Sequence, residues 1–212
     1  MNLDRFPYRL YLVLSEEDCV GRDMLSVAEM AIKGGVDIIQ LREKKCSTNE
    51  FLLKANRLSE LLVKYNLPFI VNDHIDVAIA SNASGIHVGN NDMPPSKIRS
   101  IWPRDYLIGY SIEYIEQLTN AEIAHSDYLG ISPVFRTQTK LNTITEWGLE
   151  GISEIRSQTN MPLVAIGNMN EGNAFNVIKA GANCIAVVSA ICAAKDPAKA
   201  AYAIRNQIEK AL

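Results

Sequence analysis

Eight short apolar runs, each followed by a helical pattern or turn, constrain this chain more than any other feature. They are "YLVL" (Tyr11 to Leu14), "VDIIQLR" (Val36 to Arg42), "PFIVN" (Pro68 to Asn72), "GIHV" (Gly85 to Val88), "YLIGYS" (Tyr106 to Ser111), "DYLGIS" (Asp127 to Ser132), "PLVAIG" (Pro162 to Gly167) and "NCIAVVS" (Asn183 to Ser189). Each is long enough for a strand and too continuous for a half-exposed one, as parallel strands covered on both faces are. Helical patterns lie between them: "MLSVAEMAIKGG" with its glycine stop, "STNEFLLKANRLSELLVKY" with a serine or threonine cap, "SIEYIEQLTNAEIA", "GNAFNVIKAGA", and a last helix from about Pro197 to Leu212. Regular βα alternation over 212 residues predicts an α/β protein, a single (β/α)8 TIM barrel, with residues 1–212 as one domain. The alternative, a doubly wound open sheet, has fewer strands and wants a G-x-G-x-x-G after the first strand, which this chain lacks.

Composition narrows the partners. The chain is 48% hydrophobic and 21% charged with a formal net charge of -3, so nothing in it asks for nucleic acid or an anionic membrane surface. Its longest apolar runs, such as "CIAVVSAICAA", fall short of the ~20 residues that span a bilayer. "MNLDRFPYRL" has no signal-peptide core, which predicts a cytoplasmic protein. The four cysteines, Cys19, Cys46, Cys184 and Cys192, form no CxxC pair and are read as thiols. Composition leaves a homo-oligomer open.

In a βα barrel the active site lies at the C-terminal strand ends. The unusual polar residues fall there. After the second strand come Gln40, Arg42 and Lys44, on one face by the two-residue period, with Leu41 and Glu43 on the other. The third strand ends in Asn72 and Asp73, and "GNNDMPP" after the fourth carries Asp92. The fifth ends in Ser111; "SPVFRTQTK" after the sixth holds Thr137, Thr139 and Lys140; the seventh ends in Gly167 and Asn168, the eighth in Val188 and Ser189. Each has an ordinary reading: "QLREKK" as a strand running into solvent, Asn72-Asp73 as a turn or cap, Asp92 as a cap for a helix near Pro95, Asn168 and Ser189 as caps. Together, at one rim, they predict a site. His74, His87 and His125 do not cluster with a Ser or Cys nucleophile, so no catalytic triad is expected, and His87 reads as a hydrogen-bonded core histidine.

Two aspartates among amides and hydroxyls are hard-oxygen ligands suited to Mg²⁺, which takes one or two carboxylates plus substrate phosphates. Arg42, Lys44 and Lys140 are donors that suit anionic oxygens. Carboxylates and cations at one mouth neutralise each other unless something multiply charged, such as a Mg²⁺-diphosphate, sits between. Strands seven and eight offer backbone N–H groups at helix starts, the usual barrel site for a phosphate monoester. The expected ligands are two phosphorylated small molecules. No general base or nucleophile is evident, and departure of diphosphate needs neither.

"QLREK", "VND" followed by "ASGIHVGNND", "GYS", "GISPVFRTQTK", "PLVAIG" and "AVVSAI" occur in an order and spacing that resembles the thiamine-phosphate synthase (thiamine-phosphate pyrophosphorylase) family, from about Gln40 to Pro197. The resemblance implies a cytoplasmic transferase of thiamine biosynthesis that joins hydroxymethylpyrimidine diphosphate to a thiazole ethyl phosphate and releases diphosphate. By this likeness Gln40, Arg42, Lys44, Asn72, Ser111 and Lys140 hold the pyrimidine diphosphate, with Arg42, Lys44, Ser111 and Lys140 catalytic. Asp73 and Asp92 hold Mg²⁺, while Thr137, Thr139, Gly167, Asn168, Val188 and Ser189 hold the thiazole phosphate. The mechanism implied is dissociative: diphosphate leaves, a pyrimidine-stabilised cation forms, and the thiazole nitrogen captures it.

The chain departs from the family pattern at Asn168, where a second glycine is usual, at Arg136, where proline is common, and at Ser132, where glycine is common. Asn tolerates left-handed backbone better than other non-glycine residues, so its N–H remains a candidate donor. Glu113 follows "GYSI" where relatives have His or Asn nearby. Two other readings stay open: a thiazole tautomerase-like relative, which would carry a histidine near Ser111 and lose the aspartate of "ND", and a non-catalytic phosphate-binding paralogue. Retention of Asp73, Asp92 and Lys140 favours the synthase.

Overall fold

The structure, a computed structural model, describes residues 5–102, 105–136 and 146–212. Eight parallel strands close into a barrel in chain order: β1 (Leu10–Leu14), β2 (Ile38–Leu41), β3 (Phe69–Asn72), β4 (Gly85–Val88), β5 (Leu107–Ile112), β6 (Tyr128–Ile131), β7 (Leu163–Ile166) and β8 (Cys184–Val187). β8 pairs back onto β1, with Leu10 opposite Ile185 and Leu12 opposite Val187. Every expected strand is present, shifted or trimmed by a residue or two at its ends.

The helices are α1 (Met24–Lys33), α2 (Thr48–Tyr65), α3 (Ile75–Ala80), α4 (Pro95–Ile101), α5 (Gly148–Gln158), α6 (Glu171–Lys179), α7 (Ser189–Cys192) and α8 (Pro197–Ala211). Local chemistry sets their ends. Ser47 and Glu50 form a reciprocal capping box at the start of α2, which stops at Asn66 in the left-handed region. The helix expected over "SIEYIEQLTNAEIA" is instead two 3-10 turns, Ile115–Thr119 and Ala121–His125. The reason is local competition: the Gln117 carboxamide accepts from the Glu113 and Tyr114 N–H groups, and Asn120, in extended conformation, caps the second turn.

Two cores result. The larger lies between strands and helices and takes the outward side chains, such as Leu12, Ile39, Val71, Ile86 and Ile108. The smaller fills the barrel itself: Phe6, Tyr11, Ile38, Ile70, Leu107, Tyr128, Val164 and Cys184 among others. Phe6 plugs the N-terminal end, its ring 4.4 Å from that of Tyr128. At that end Asp127 accepts from Ile108 N at 2.8 Å and pairs with Arg5 and Arg99. Among the described residues, this packed floor closes the N-terminal end of the barrel.

Candidate active site

Above that floor, at the C-terminal strand ends, opens a cavity of about 350 Å³, within the range of small-molecule sites. β2 supplies its basic wall. Gln40 is buried and points inward, Arg42 follows half-buried at the mouth, and Lys44 is exposed beside it. The two-residue period holds: Glu43 turns outward to Lys54 of α2, 3.0 Å away.

β3 and β4 supply the acidic wall. Asn72 is buried and faces the cavity, and Asp73 follows with φ of +63°. Burial, then the neighbouring charge of Asp92, push the Asp73 carboxyl above the usual range, while Lys44 opposes the rise from 3.6 Å. The Asp92 carboxylate accepts from Gly89 N at 2.7 Å. Neither aspartate caps a helix: the N-cap of α3 is His74 and that of α4 is Pro94, neither with a capping side chain. The capping reading of both residues therefore fails, although Asn72-Asp73 does form a tight turn, His74 N donating to Asn72 O at 2.8 Å, and the two carboxylates come together at one mouth.

Ser111 of β5 meets His87 Nε2 at 2.8 Å. His87 is hydrogen-bonded, as expected, but it also faces the cavity, as do Tyr11 and Tyr128. Sequence reasoning missed these three as site residues. No periodic signal marked them, because a strand with two apolar faces does not show in sequence which face looks into the barrel.

On the far wall, Gly167 has φ of +116° and a Cβ there would come 2.7 Å from Pro133 Cβ. Asn168 follows with φ of +54°, in the region asparagine tolerates. It is exposed and lines the cavity; among the described residues its N–H has no hydrogen-bond partner. The cap of α6 is Asn170, not Asn168. Val188 and Ser189, the start of the four-residue α7, complete this wall, and Ser132 and Arg136 also face the cavity. Thr137, Thr139 and Lys140 lie outside the described residues. Among the described residues no cluster of three or more His, Cys, Asp or Glu could hold a metal alone, and no helix is long and apolar enough to cross a membrane.

The chain as a whole is similar to known proteins. A family model described as thiamine monophosphate synthase matches residues 10–191. The chain is 45% identical over 201 residues to the thiamine-phosphate synthase of Albidiferax ferrireducens, covering 95% of this chain and 92% of that one. It is 43% identical over 205 residues to the thiamine-phosphate synthase of Shouchella clausii, covering 97% and 98%. Among solved structures, thiamine phosphate pyrophosphorylase from Pyrococcus furiosus superposes with a TM-score of 0.87 at 34% identity, over 98% of both chains. A 3-hexulose-6-phosphate synthase shares the fold at 18% identity, with a TM-score of 0.67 over 94% and 99% of the two chains.

Proposed function

Because the chain belongs to the thiamine monophosphate synthase family, we propose that it joins hydroxymethylpyrimidine diphosphate to a thiazole ethyl phosphate, giving thiamine phosphate and diphosphate. The observation that carries this reading is the confrontation of Asp73 and Asp92 with Arg42 and Lys44 at one mouth. A carboxylate pair opposed by cations accommodates a metal-bound diphosphate, and it suits a neutral substrate poorly.

The donor set fits Mg²⁺. Two hard oxygens face each other, one of them pushed towards protonation partly by the other's charge, which a divalent cation between them would relieve. Bound there, Mg²⁺ would neutralise charge on the departing diphosphate.

Arg42 and Lys44, with Lys140, donate to the diphosphate oxygens as the carbon–oxygen bond breaks and its electron pair leaves with the diphosphate. Gln40, Asn72 and Ser111 hold the pyrimidine ring, whose electrons stabilise the cation. The Gly167–Asn168 turn, Val188 and Ser189, with Thr137 and Thr139, hold the thiazole phosphate, so that the ring nitrogen faces the cationic carbon and its lone pair forms the new bond. No proton passes to or from the protein, so the chain needs no general base.

The test is turnover with both substrates and Mg²⁺, measuring diphosphate and thiamine phosphate. Equal amounts are expected. Isomerised thiazole phosphate without diphosphate would establish the tautomerase reading instead, and ligand binding without any turnover the non-catalytic one.

A further inference from the structure

Five side chains from five strands form one hydrogen-bonded chain across the barrel, beneath and into the cavity. Gln40 Nε2 of β2 donates to the Tyr11 hydroxyl of β1 at 2.9 Å. The Tyr11 and Tyr128 hydroxyls are 3.0 Å apart. The Tyr128 hydroxyl lies 3.2 Å from His87 Nδ1, and His87 Nε2 lies 2.8 Å from Ser111 Oγ. Gly109 and Gly130 make the rings' approach feasible: a Cβ on Gly109 would fall 2.2 Å from Tyr128 Cζ, and one on Gly130 2.9 Å from His87 Cε1.

The protons in this chain can be counted. Burial raises both tyrosines well above their ordinary range, so each keeps its single O–H proton. The Gln40 amide donates to the Tyr11 oxygen, so the Tyr11 proton goes on to the Tyr128 oxygen. The Tyr128 proton then goes to His87 Nδ1, which must be the unprotonated nitrogen. The ring proton sits on Nε2 and is donated to Ser111 Oγ. The Ser111 proton is left for the cavity. At the other end Gln40 spends one of its two Nε2 hydrogens on Tyr11 and keeps Oε1 and the second N–H.

We propose that Tyr11, Tyr128 and His87 are a positioning relay that fixes Ser111 as a hydrogen-bond donor towards the ligand in the cavity. The consequence is specificity. A heteroaromatic ring bearing an amino group offers an N–H to Gln40 and a ring-nitrogen lone pair to Ser111. The oxo analogue, with a ring N–H in place of that lone pair, leaves the Ser111 proton without an acceptor. Only this ligand assignment rests on the proposed function; the direction of the relay does not.

Two measurements test it. The first is ¹⁵N NMR of the imidazoles in the full ligand-free chain. The expected His87 signal is a neutral ring protonated at Nε2 alone, and in Tyr128→Phe a mixture of tautomers. A wild-type ring protonated at Nδ1 would reverse the relay and overturn the proposal, as would a ring unchanged by Tyr128→Phe. The second is kinetic. His87→Leu should lower kcat/KM for the pyrimidine diphosphate by roughly ten- to hundredfold, the cost of an unsatisfied buried polar group, with the KM for thiazole phosphate unchanged. His87→Gln, whose carboxamide can carry an N–H to Ser111, should recover most of the loss. Equal impairment of both variants, or none in His87→Leu, counts against the relay. A wild-type protein without synthase turnover would refute the proposed function, and the NMR result would still decide the relay.

Discussion

Replacing Gly109 by alanine perturbs the site from beneath by displacing Tyr128 and His87 without substituting any residue that lines the cavity. The added Cβ would lie 2.2 Å from Tyr128 Cζ and 2.4 Å from both the Tyr128 hydroxyl and His87 Nδ1. Carbon atoms pack at about 3.5 Å or more, so the tyrosine ring must retreat by over 1 Å. Phe6, whose ring centroid is 4.4 Å from that of the buried Tyr128, hinders that retreat. Overpacking of this kind costs about 1–3 kcal/mol, and stretching the 3.2 Å Tyr128–His87 bond forfeits about 1 kcal/mol more. The expected total is about 2–4 kcal/mol. Gly130→Ala is the graded control, because its Cβ would meet His87 Cε1 at 2.9 Å and needs a shift of about half an ångström, against more than 1 Å for Gly109→Ala; about 1 kcal/mol is expected. The assay is urea unfolding of both variants with the slope checked against wild type, beside their kcat/KM. Gly109→Ala should unfold at the lower midpoint and lose more activity. A wild-type midpoint for Gly109→Ala, or a larger loss in Gly130→Ala, would refute the packing argument and with it the claim that these glycines exist to seat the two rings.

Asn168→Gly should preserve or slightly raise synthase activity, because glycine adopts φ of +54° without cost and keeps the N–H donor; a large loss with the fold intact would assign the Asn168 amide to a different ligand. Arg42→Ala should cost roughly 10²–10³ in rate with the diphosphate substrate, as expected for losing one charge-assisted donor to a departing anion; a change confined to the KM for thiazole phosphate would show that the two halves of the site are wrongly divided. Asp127→Ala, at the opposite end of the barrel, should cost about 3–5 kcal/mol in urea unfolding because it takes the carboxylate from the half-buried Arg99 guanidinium and the side-chain acceptor from the buried Ile108 N–H, while kcat of the folded fraction stays at the wild-type value. A loss under about 1 kcal/mol would mean that the Tyr106 and His125 carbonyls, which Arg99 also contacts, hold it without Asp127.

Much of this architecture is legible in the sequence because barrel strands are buried on both faces and interrupt the chain as continuous apolar runs. The same property hides the relay. In a strand with two apolar faces, parity does not say which face looks into the barrel, so His87, Tyr11 and Tyr128 read as core until closure of the sheet assigns their side. The rim residues are readable for the opposite reason. Arg42, Asp73 and Asp92 break apolar runs at one end, where a dry environment would not tolerate them. That Asp73 and Asp92 confront each other follows from the pairing of β3 with β4, which puts Asn72 opposite His87, and pairing order is a property of the fold. The helix expected over "SIEYIEQLTNAEIA" fails because Gln117 and Asn120 spend their side chains on backbone N–H groups, a competition that apolar periodicity does not register.

The central claim is that the carboxylate pair and the cations at one rim hold a metal-bound diphosphate between them. Calorimetric titration of inorganic diphosphate into the protein, with and without Mg²⁺, tests it most directly. The account predicts binding at least about tenfold tighter with Mg²⁺, a difference of about 1.4 kcal/mol, and loss of that enhancement in Asp73→Ala and in Asp92→Ala. Diphosphate binding of equal strength with and without Mg²⁺, unchanged in both variants, would contradict it.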